Sequence, residues 1–573
     1  MTNPNEAVLS PAVDAAVSSA LAGTNGQNSK KKPPTIGPVR QQLEAFGVAI
    51  LAAVLLKWFC LEAFQIPTSS MQPTLMGSSE AGVYDRILVN KLIPLLREPK
   101  RWDITVFKYP LQKNQNYVKR IAGMPNDRLL IAGGNLWQVI DEGGNRSYRI
   151  ERKPDDLQEA MWKNVHPARM QARSETKMLG AILGHSPLRG FEERDGIVTV
   201  AVDGSMVLTF RDEADGGMID RVWDGYPEAV MRAMREQLPM HQPQEIVPDV
   251  RITAAVTAEQ AVDELVFEVL VARPKFAPIA YQLVAKGGKG QLVVKVNGKQ
   301  VGASPEFAMP ITPGTASEIA FAHVDARLVA WQDGAELQSF ECAAEWECRD
   351  DCVLPFTMPP EGTNQPGKLE LPPSQKVTPQ ITAKGKGKIH FAELRIDRDQ
   401  HYTRSGAQEV IEVPDGHYYM LGDNTLQSID ARGWTAIIIG VDADDNIVHP
   451  DTQGARRVRG NKRAMNLDRA PDRDETPIPI PSEHAVIMID EYGEIMRLKG
   501  DVGPDWGKRV TFQKRGAADG RGDWEAPEAT NAKGISFVPR SDIQGRATLI
   551  FYPSRPFSWL TFNSWPGRFG FVR

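Results

Sequence analysis

The stretch IPTSSMQPTL, residues 66 to 75, places three hydroxyl side chains in a row before a methionine and a proline-containing turn. A serine hydroxyl is a poor nucleophile until a neighbouring base removes its proton. No histidine lies near this stretch, so a lysine is the obvious base. Lys119 lies in the apolar segment YVKRIAGMP, where burial would lower the pKa of its amine. The two segments allow Ser/Lys chemistry, although a single lysine in a strand is usually a surface residue.

Composition narrows the class of protein. A chain of 573 residues predicts two to four domains. The net charge of −5 and the hydrophobic fraction of 42% favour globular domains over a nucleic-acid-binding or disordered protein. Nine histidines are scattered and no HExxH or CxxC motif occurs, so we predict neither a metal nor another cofactor.

The four cysteines are unevenly distributed. Cys60 lies in an apolar run, whereas Cys342, Cys348 and Cys352 form a cluster. If the cluster lies outside the cytoplasm, one disulfide within it and one spare thiol are expected. Three free thiols are the equal alternative.

One long apolar run precedes the serine-rich turn. Residues 45–64 just reach the length of about 20 residues that crosses a hydrocarbon core. Lys57 and Glu62 fit such an anchor if they lie at its far interface. The basic residues at 30–32 and Arg40 then predict a cytoplasmic N-terminus, with everything after residue 65 outside. A cleaved signal peptide is the disfavoured alternative, because the run begins late and lacks a small-x-small cleavage site.

The rest of the chain has mainly β patterning. Residues 83–130 contain β-branched runs separated by Pro, Gly and Asn turns. A helix is predicted over residues 228–237, and Pro-rich linkers over 354–380 and 461–484. Three hairpins with Asp-Gly or Asn-Gly turns are predicted in IVTVAVDGSMVLTF, LVVKVNGKQVGA and ARLVAWQDGAEL. The middle region is therefore interpreted as an inserted antiparallel sandwich. Its strands resemble lectin-like or laminin-G-like sandwiches, and we favour a structural insert over a ligand-binding module.

The chemistry-bearing segments resemble the boxes of type I signal peptidases, which are membrane-anchored Ser/Lys endopeptidases. IPTSSMQPTL is similar to that family's nucleophile box, IPSGSMxPTL, and YYMLGDNTLQSIDARGW to its final box, GDNxxxSxDSRxWG. The intervening boxes and the closing strand occur in the family's order, as RILVNKL, REPKRWDITVFKYP, YVKRIAGMPNDRL and VPRSDIQGRATLIFYP. The resemblance covers roughly 120 to 140 of the 573 residues.

The resemblance implies a mainly β fold, with a signal-peptidase-type antiparallel core, one N-terminal transmembrane helix and an inserted β-sandwich-like domain. The expected divisions are a disordered cytoplasmic tail (1–44), the anchor (45–64), the first part of the core (65–130), the insert (131–395), the second part of the core (396–434), a second insertion (435–535) and the C-terminal part of the core (536–573).

The resemblance also implies roles for individual residues. Ser70 corresponds to the nucleophile and Lys119 to the general base. Thr68 takes the place of the hydroxyl that, with the nucleophile's own N–H, stabilises the oxyanion.

Supporting positions carry over in the same way. Ser428 matches the serine that orients the lysine amine. Asp430 and Arg432 match a structural charge pair behind the site, and Arg120 is expected to pair with Asp423.

Five positions depart from the family pattern. Ser69, Tyr84, Trp102 and Asn126 each replace a glycine, and Ala431 replaces a serine. None of these changes removes a catalytic atom. Ser69 would be strained if its position requires a positive φ.

The implied function is removal of N-terminal signal peptides with small residues at −1 and −3, without a cofactor. Implied partners are preprotein signal peptides, the lipid bilayer and the secretion machinery, and no nucleic acid. The implied location is the plasma (inner) membrane, with a single span and an extracytoplasmic catalytic domain. Two alternatives stay open: a membrane-tethered binding protein with a degenerate core, and a Ser/Lys protease with a narrow, non-secretory substrate.

Overall fold

The computed structural model describes most of the chain outside its N-terminal segment. The described residues are 38–78, 82–110, 112–142, 145–165, 183–185, 191–194, 196–210, 217–226, 245–273, 276–342, 376–403, 410–432, 434–448, 452–461, 478–489, 495–499, 511–514, 537–554 and 570–572. Helices over these residues are α1 (Pro38–Leu55), α2 (Ile93–Leu96) and α3 (Asp155–Met161).

Strands make up most of the described chain, which confirms the prediction of a mainly β fold. In chain order they are β1 (Leu61–Gln65), β2 (Gly77–Ser78), β3 (Val83–Asn90), β4 (Ile104–Tyr109), β5 (Gln112–Gly123), β6 (Arg128–Ala132), β7 (Asn135–Glu142), β8 (Asn145–Ile150), β9 (Lys163–Asn164), β10 (Leu183–His185), β11 (Phe191–Arg194), β12 (Ile197–Phe210), β13 (Val250–Ala258), β14 (Glu264–Arg273), β15 (Phe276–Lys286), β16 (Lys289–Val296), β17 (Lys299–Ala303), β18 (Phe307–Ala308), β19 (Ser317–Val324), β20 (Arg327–Gln332), β21 (Ala335–Glu341), β22 (Lys376–Arg398), β23 (Ile411–Glu412), β24 (His417–Leu421), β25 (Thr435–Val441), β26 (Ile447–Val448), β27 (Arg456–Asn461), β28 (Ile478–Ile480), β29 (Ala485–Ile489), β30 (Ile495–Lys499), β31 (Thr511–Lys514), β32 (Val538–Pro539), β33 (Ile543–Ser554) and β34 (Gly570–Phe571).

The N-terminal unit, which ends at Phe59, contains α1 and most of a π-helical turn over Leu56–Cys60. Among the described residues, no helix has both the length and the apolar character that crossing a membrane requires. The predicted anchor, residues 45–64, is not one continuous helix. Its last residues lie in β1, which pairs with β3.

A nine-stranded antiparallel sheet carries the segments that resemble peptidase boxes. Its order is β1-β3-β33-β4-β5-β24-β32, with β2 beside β3 and β34 beside β33. In β3, every second residue from Val83 is buried, as the period of two in a β-strand requires. The β-rich prediction for residues 83–130 is confirmed by β3, β4, β5 and β6. Strand β33 lies between β3 and β4, so a strand near the C-terminus joins these two strands into one sheet.

The middle of the chain forms a separate 14-stranded antiparallel sheet. Its main path is β17-β16-β15-β14-β22-β13-β19-β20-β21, with the shorter strands and β12 attached at its sides. Alternate residues of these strands bury a large apolar cluster that includes Phe267, Phe321 and Phe391. Three smaller sheets complete the description: β23-β6-β7-β8, β26-β25-β27 with β31, and β28-β29-β30.

Two of the three predicted hairpins are confirmed. Asn297 and Gly298, with φ of 49° and 76°, connect β16 to β17. Asp333 and Gly334, with φ of 52° and 79°, connect β20 to β21. Positive φ at both central residues is the geometry that a two-residue hairpin turn requires.

The hairpin predicted at residues 197–210 is wrong, because this segment is one 14-residue strand, β12. It pairs with the 23-residue strand β22, which offers a continuous partner along its whole length. Gly204 lies opposite Gly385, and both glycines have positive φ, 89° and 135°. The glycine therefore allows a local distortion within a long strand pair instead of a reversal of the chain.

Several other predictions fall outside the described residues. These are the tail up to residue 37, the helix at 228–237, the cysteines at 348 and 352, and residues 354–375 of the first linker. The described ends of both linkers differ from the prediction. Residues 376–380 of the first belong to β22. Residue 461 of the second ends β27, and residues 478–480 form β28. The domain boundaries stay predictions.

Trp102 joins the nine-stranded sheet to the segments that follow β8. Its φ is 75°, so the bulky side chain stands on a backbone conformation that favours glycine. The indole Nε1–H donates to the Arg152 carbonyl at 3.2 Å, and the ring stacks on Tyr402 with centroids 6.3 Å apart. The position that the family fills with glycine therefore supplies a buried contact between two parts of this chain.

We expect the Trp102→Gly substitution to destabilise the protein. Relief of backbone strain would stabilise it by about 1–3 kcal/mol, whereas loss of a buried tryptophan costs about 3–5 kcal/mol. The net loss should be about 2 kcal/mol in the free energy of unfolding, measured by urea denaturation. Asn126→Gly is the matched control, because Asn126 also has a positive φ, 67°, but only a solvent-exposed hydrogen bond. Equal stability of Trp102→Gly and wild type would contradict the role of the indole.

Candidate active site

A tight turn presents the predicted nucleophile. Residues Ser69–Met71 form one 3₁₀ turn, closed by a hydrogen bond from the Gln72 N–H to the Ser69 carbonyl at 3.0 Å. Met71 and Leu75 are fully buried and hold the turn against the sheet. A Cβ atom on Gly77 would lie 2.5 Å from the Ile66 carbonyl oxygen, so only glycine allows this close approach.

Lys119, on β5, reaches the predicted nucleophile, which lies 49 positions earlier in the sequence. Its Nζ lies 2.6 Å from Ser70 Oγ. The lysine side chain is only 3% exposed. Burial lowers the pKa of Lys119 from 10.5 to about 8; Asp430 has a smaller effect that raises it, and Arg432 a smaller effect that lowers it further. The structure therefore places the two predicted residues together, with an amine that loses its proton near neutral pH.

The other hydroxyls of the turn have different environments. Thr68 Oγ1 lies 3.5 Å from Ser70 Oγ, on the exposed side of the turn. Ser69 is not among the residues with positive φ, so the strain considered for this position is absent. Of the four glycine replacements, it is Trp102 and Asn126 that occupy left-handed backbone positions.

Arg120 and Asp423 form the ion pair predicted beside the site. Two guanidinium nitrogens lie 2.8 and 2.7 Å from the two carboxylate oxygens, and neither side chain is exposed. Thr74 Oγ1–H donates to the same carboxylate at 2.6 Å, and Arg120 also donates to the Trp102 carbonyl. Burial would raise the pKa of Asp423, but Arg120 keeps it below its usual value. Since Arg120 follows Lys119 in β5, this pair fixes the backbone that carries the amine.

Asp430 and Arg432 form a second buried pair, also as predicted. Arg432 donates to both carboxylate oxygens, at 2.7 and 2.6 Å, and to the Thr403 carbonyl at 2.8 Å. The Gly422 N–H donates to Asp430 Oδ2 at 2.9 Å. The pair therefore ties the loop after β24 to its own start at Gly422 and to Thr403.

Ser428 lies beside the site but makes no hydrogen bond to the Lys119 amine among the described residues. A Cβ atom on Gly422 would lie 2.0 Å from Ser428 Oγ and 2.5 Å from the Ser70 carbonyl oxygen, so all three residues meet at one point. Within the described part of the chain, Ser428 Oγ is buried and has no hydrogen-bond partner. Orientation of the Lys119 amine by this serine stays a prediction.

Asn424 is a supporting residue that the sequence analysis did not identify. Its N–H donates to the Ser70 carbonyl at 3.2 Å, and its side-chain amide donates to the Ser69 carbonyl at 3.0 Å. It directly follows Asp423 in the GDN segment, so its place in that box was the available signal. Asn424 connects the loop after β24 to the nucleophile turn.

A cluster of carboxylates includes none of the residues described above. Oxygen atoms of Asp249, Asp325 and Asp399 all lie within 4.8 Å of one another. The Lys153 ammonium lies between two of them, 2.8 Å from Asp399 and 3.3 Å from Asp325. Burial alone would lower the pKa of Lys153, but the two carboxylates raise it. A protein cation thus supplies the positive charge that this cluster needs.

The arrangement around Ser70 can support nucleophilic acyl transfer. A buried amine within hydrogen-bond distance can accept the hydroxyl proton when the amine is neutral. Thr68 then offers an O–H donor beside the nucleophile, where negative charge develops on a carbonyl oxygen.

Comparison with known proteins gives a family for the N-terminal part of the chain. Residues 39–173 match the family described as "Signal peptidase, peptidase S26". Signal peptidase I of Pseudomonas aeruginosa is 31% identical over 121 residues, which are 19% of this chain and 42% of that protein. Signal peptidase I of Aquifex aeolicus is 39% identical over 89 residues, 16% and 32% of the two chains. The enzyme of Buchnera aphidicola subsp. Baizongia pistaciae is 37% identical over 139 residues, 22% and 39%. The chain thus spans less than half the length of these three relatives.

Solved structures resemble the chain only weakly. The carbohydrate binding module CBM66 from Bacillus subtilis aligns with a TM-score of 0.21 and 9% identity, covering 37% of this chain and 94% of that one. A family 7 alginate lyase, A1-II′, aligns with a TM-score of 0.23 and 10% identity, covering 38% and 85%. Similarities of this size carry no argument about function.

We expect Arg120→Ala to destabilise the protein strongly. The substitution leaves the Asp423 carboxylate buried without its cation, which costs about 3–5 kcal/mol. The control is Arg128→Ala, which breaks an ion pair with Asp141 that is about one-third exposed and should cost at most about 1 kcal/mol. Urea denaturation of both variants measures the difference. Equal losses would show that the buried pair has no special importance for the fold.

The depressed pKa of Lys119 predicts a pH-dependent stability. Between pH 8 and 10.5 the unfolded lysine still holds a proton that the folded lysine has released. Stability of the wild type should therefore rise with pH through this window, relative to Lys119→Met, which cannot titrate. Melting temperatures of both proteins at pH 7 and pH 10 test this. Lys108→Met, which removes an exposed lysine on β4, is the control for the loss of a lysine charge that is not buried. A constant difference between wild type and Lys119→Met would contradict the buried, depressed amine.

Proposed function

We propose, from the premise that residues 39–173 form a region of the signal peptidase S26 family, that the whole chain is a signal peptidase I. It would remove N-terminal signal peptides from secreted preproteins. The observation that carries this proposal is the 2.6 Å contact between Ser70 Oγ and the buried Lys119 Nζ. Both residues lie inside the region that matches the family.

The proposed reaction is a two-step acyl transfer. Ser70 Oγ attacks the scissile carbonyl carbon while the neutral Lys119 amine takes its proton. Lys119 then gives that proton to the leaving amine, and the C–N bond breaks to form an acyl-enzyme. The shortened protein leaves as this amine, and the signal peptide stays esterified to Ser70. A water molecule, deprotonated by the Lys119 amine, attacks the ester carbonyl; the C–O bond to Ser70 breaks, Lys119 returns the proton to Ser70 Oγ, and the signal peptide is released. The Thr68 hydroxyl and the Ser70 N–H are the proposed donors to the oxyanion.

Surrounding residues support this reaction without taking part in bond changes. Arg120 and Asp423 hold the β5 backbone beside Lys119. The charge pair behind the site holds the loop whose Asn424 binds the nucleophile turn. On the family resemblance, we assign to Ser428 the orientation of the Lys119 amine.

The membrane anchor is part of the proposal. We infer that the apolar run that begins at residue 45 and ends before β1 holds the chain in the plasma (inner) membrane, with the N-terminus in the cytoplasm and the catalytic part outside. Signal peptides stay in the bilayer after translocation, so an anchored enzyme meets its substrate in the same plane. Preproteins presented by the secretion machinery would bind as an added strand, with small residues at −1 and −3.

Cleavage of a preprotein by the full-length chain in detergent tests the proposal. We expect a cut after a small-x-small sequence and a loss of at least about 1,000-fold in Ser70→Ala, because the nucleophile is removed. Ser69→Ala is the matched control, since it removes a neighbouring hydroxyl that does not lie at the amine. Absence of cleavage by the wild type would favour a binding protein with a degenerate core. Cleavage of a non-secretory protein alone would favour a protease of narrow specificity.

The pH dependence of the reaction follows from Lys119. Only the neutral amine can act as base, so kcat/KM should rise about tenfold per pH unit below the pKa and level off above it. With a pKa of about 8, the rise should extend through neutral pH. Initial rates of preprotein cleavage between pH 5.5 and 9.5 measure this profile. A rate that does not change over this range would exclude Lys119 as the base.

A further inference from the structure

The insert, residues 131–395, contacts the catalytic part directly behind the nucleophile turn. The Tyr226 hydroxyl donates a hydrogen bond to Gln72 Oε1. Tyr226 is 8% exposed and Gln72 is 1% exposed, so both groups are removed from water. A buried polar atom that loses its partner cannot be satisfied by solvent.

Gln72 links the Tyr226 hydroxyl to the turn that contains Ser70. Its main-chain N–H closes the turn on the Ser69 carbonyl at 3.0 Å. Its side-chain Nε2–H donates to the Gly77 carbonyl at 2.8 Å, on the strand packed against the start of the turn. The Tyr226 hydroxyl binds the remaining polar atom of that amide. The main-chain N–H, the side-chain Nε2 and the side-chain Oε1 of Gln72 are therefore all hydrogen-bonded. The partner of Oε1 comes from the insert.

Buried ion pairs and main-chain hydrogen bonds fix the part of the insert that carries Tyr226. Arg398, which is fully buried, forms ion pairs with Asp220 and Asp224 and donates to the Arg221 carbonyl at 3.0 Å. The Gly225 N–H donates to the Asn164 carbonyl at 3.2 Å, which joins the Tyr226 turn to β9.

The same part of the insert makes a second contact, to the loop after β24. Lys163, adjacent to Asn164 on β9, donates its Nζ–H to the Asp423 carbonyl at 3.2 Å. Asp423 in turn binds Arg120, which follows the base in sequence. One ordered piece of the insert thus touches both the nucleophile turn and the loop that positions the base.

We propose that Tyr226 is a positioning residue for Ser70 and acts through Gln72, which makes the insert part of the catalytic machinery. This inference rests on the proposed function for its kinetic consequence. The geometric consequence, order of the turn at residues 69–77, is independent of what the enzyme cleaves. Removal of the hydroxyl leaves Gln72 Oε1 buried without a donor, and the turn can satisfy that oxygen only by moving.

The test is Tyr226→Phe in the full-length chain, which deletes one hydroxyl and keeps the ring. We expect kcat for preprotein cleavage to fall about tenfold or more, with KM and the melting temperature little changed. The matched control is Tyr402→Phe, because the Tyr402 hydroxyl is buried and, over the described residues, has no hydrogen-bond partner. That variant should retain wild-type kcat.

A double-mutant comparison keeps the result specific. In a Gln72→Leu background the acceptor is absent, so Tyr226→Phe should cause no further loss of kcat. Independent, multiplicative losses from the two substitutions would overturn coupling through this hydrogen bond.

Hydrogen exchange separates this inference from the proposed function. In Tyr226→Phe, amides of residues 69–77 should exchange faster than in wild type, whereas Tyr402→Phe should leave them unchanged. Unchanged exchange in Tyr226→Phe, or an unchanged kcat, overturns the proposal. If the wild type cleaves no preprotein, the proposed function fails. Faster exchange in Tyr226→Phe would then still establish the hold of the insert on the turn.

Discussion

The need to bury one amine governs the arrangement of the proposed catalytic part, the nine-stranded sheet with the nucleophile turn and the loop after β24. A lysine exposed to water holds its proton throughout the neutral range, and removal from solvent lowers its pKa toward the range in which it can act as a base. Lys119 meets this condition because β4 and β24 flank β5 and the nucleophile turn covers the amine. The same burial keeps water away from the amine. Ser70 Oγ lies within hydrogen-bond distance of it.

Burial of one basic group requires that its charged neighbours be balanced. The carboxylates near Lys119 would favour its protonated form if they lacked other partners. Asp423 is bound by Arg120, and Asp430 by Arg432, with two hydrogen bonds in each pair. Opposite charges close together nearly cancel at a distance, so burial remains the dominant influence on the amine. The Arg120–Asp423 pair also connects β5 to the loop after β24, and the Asp430–Arg432 pair braces that loop against Gly422 and Thr403. The electrostatic balance and the geometry therefore have the same origin.

The chain between the two halves of the catalytic part is joined to it by polar contacts and by one aromatic side chain. Trp102 stands where a glycine is usual in the family, and its indole N–H donates to the Arg152 carbonyl of the insert. Tyr226 and Lys163 reach the catalytic loops from an ordered part of the insert. An insertion that only extended from the surface would not share buried hydrogen bonds with the nucleophile turn.

The sequence by itself determined the residue types at the reacting centre and much of the strand pattern. Ser70, Lys119 and the pairs Arg120–Asp423 and Asp430–Arg432 lie in short boxes whose spacing is local, and β-branched runs between turn residues follow from a period of two. Hairpins at Asn-Gly and Asp-Gly turns are likewise local decisions. Only the tertiary structure decided where distant segments meet. Residues 197–210 stay extended because β22, remote in sequence, offers a partner for the whole length, and Tyr226 reaches Gln72 across 154 positions. Such contacts depend on the packing of whole sheets, and no local pattern of side chains encodes them.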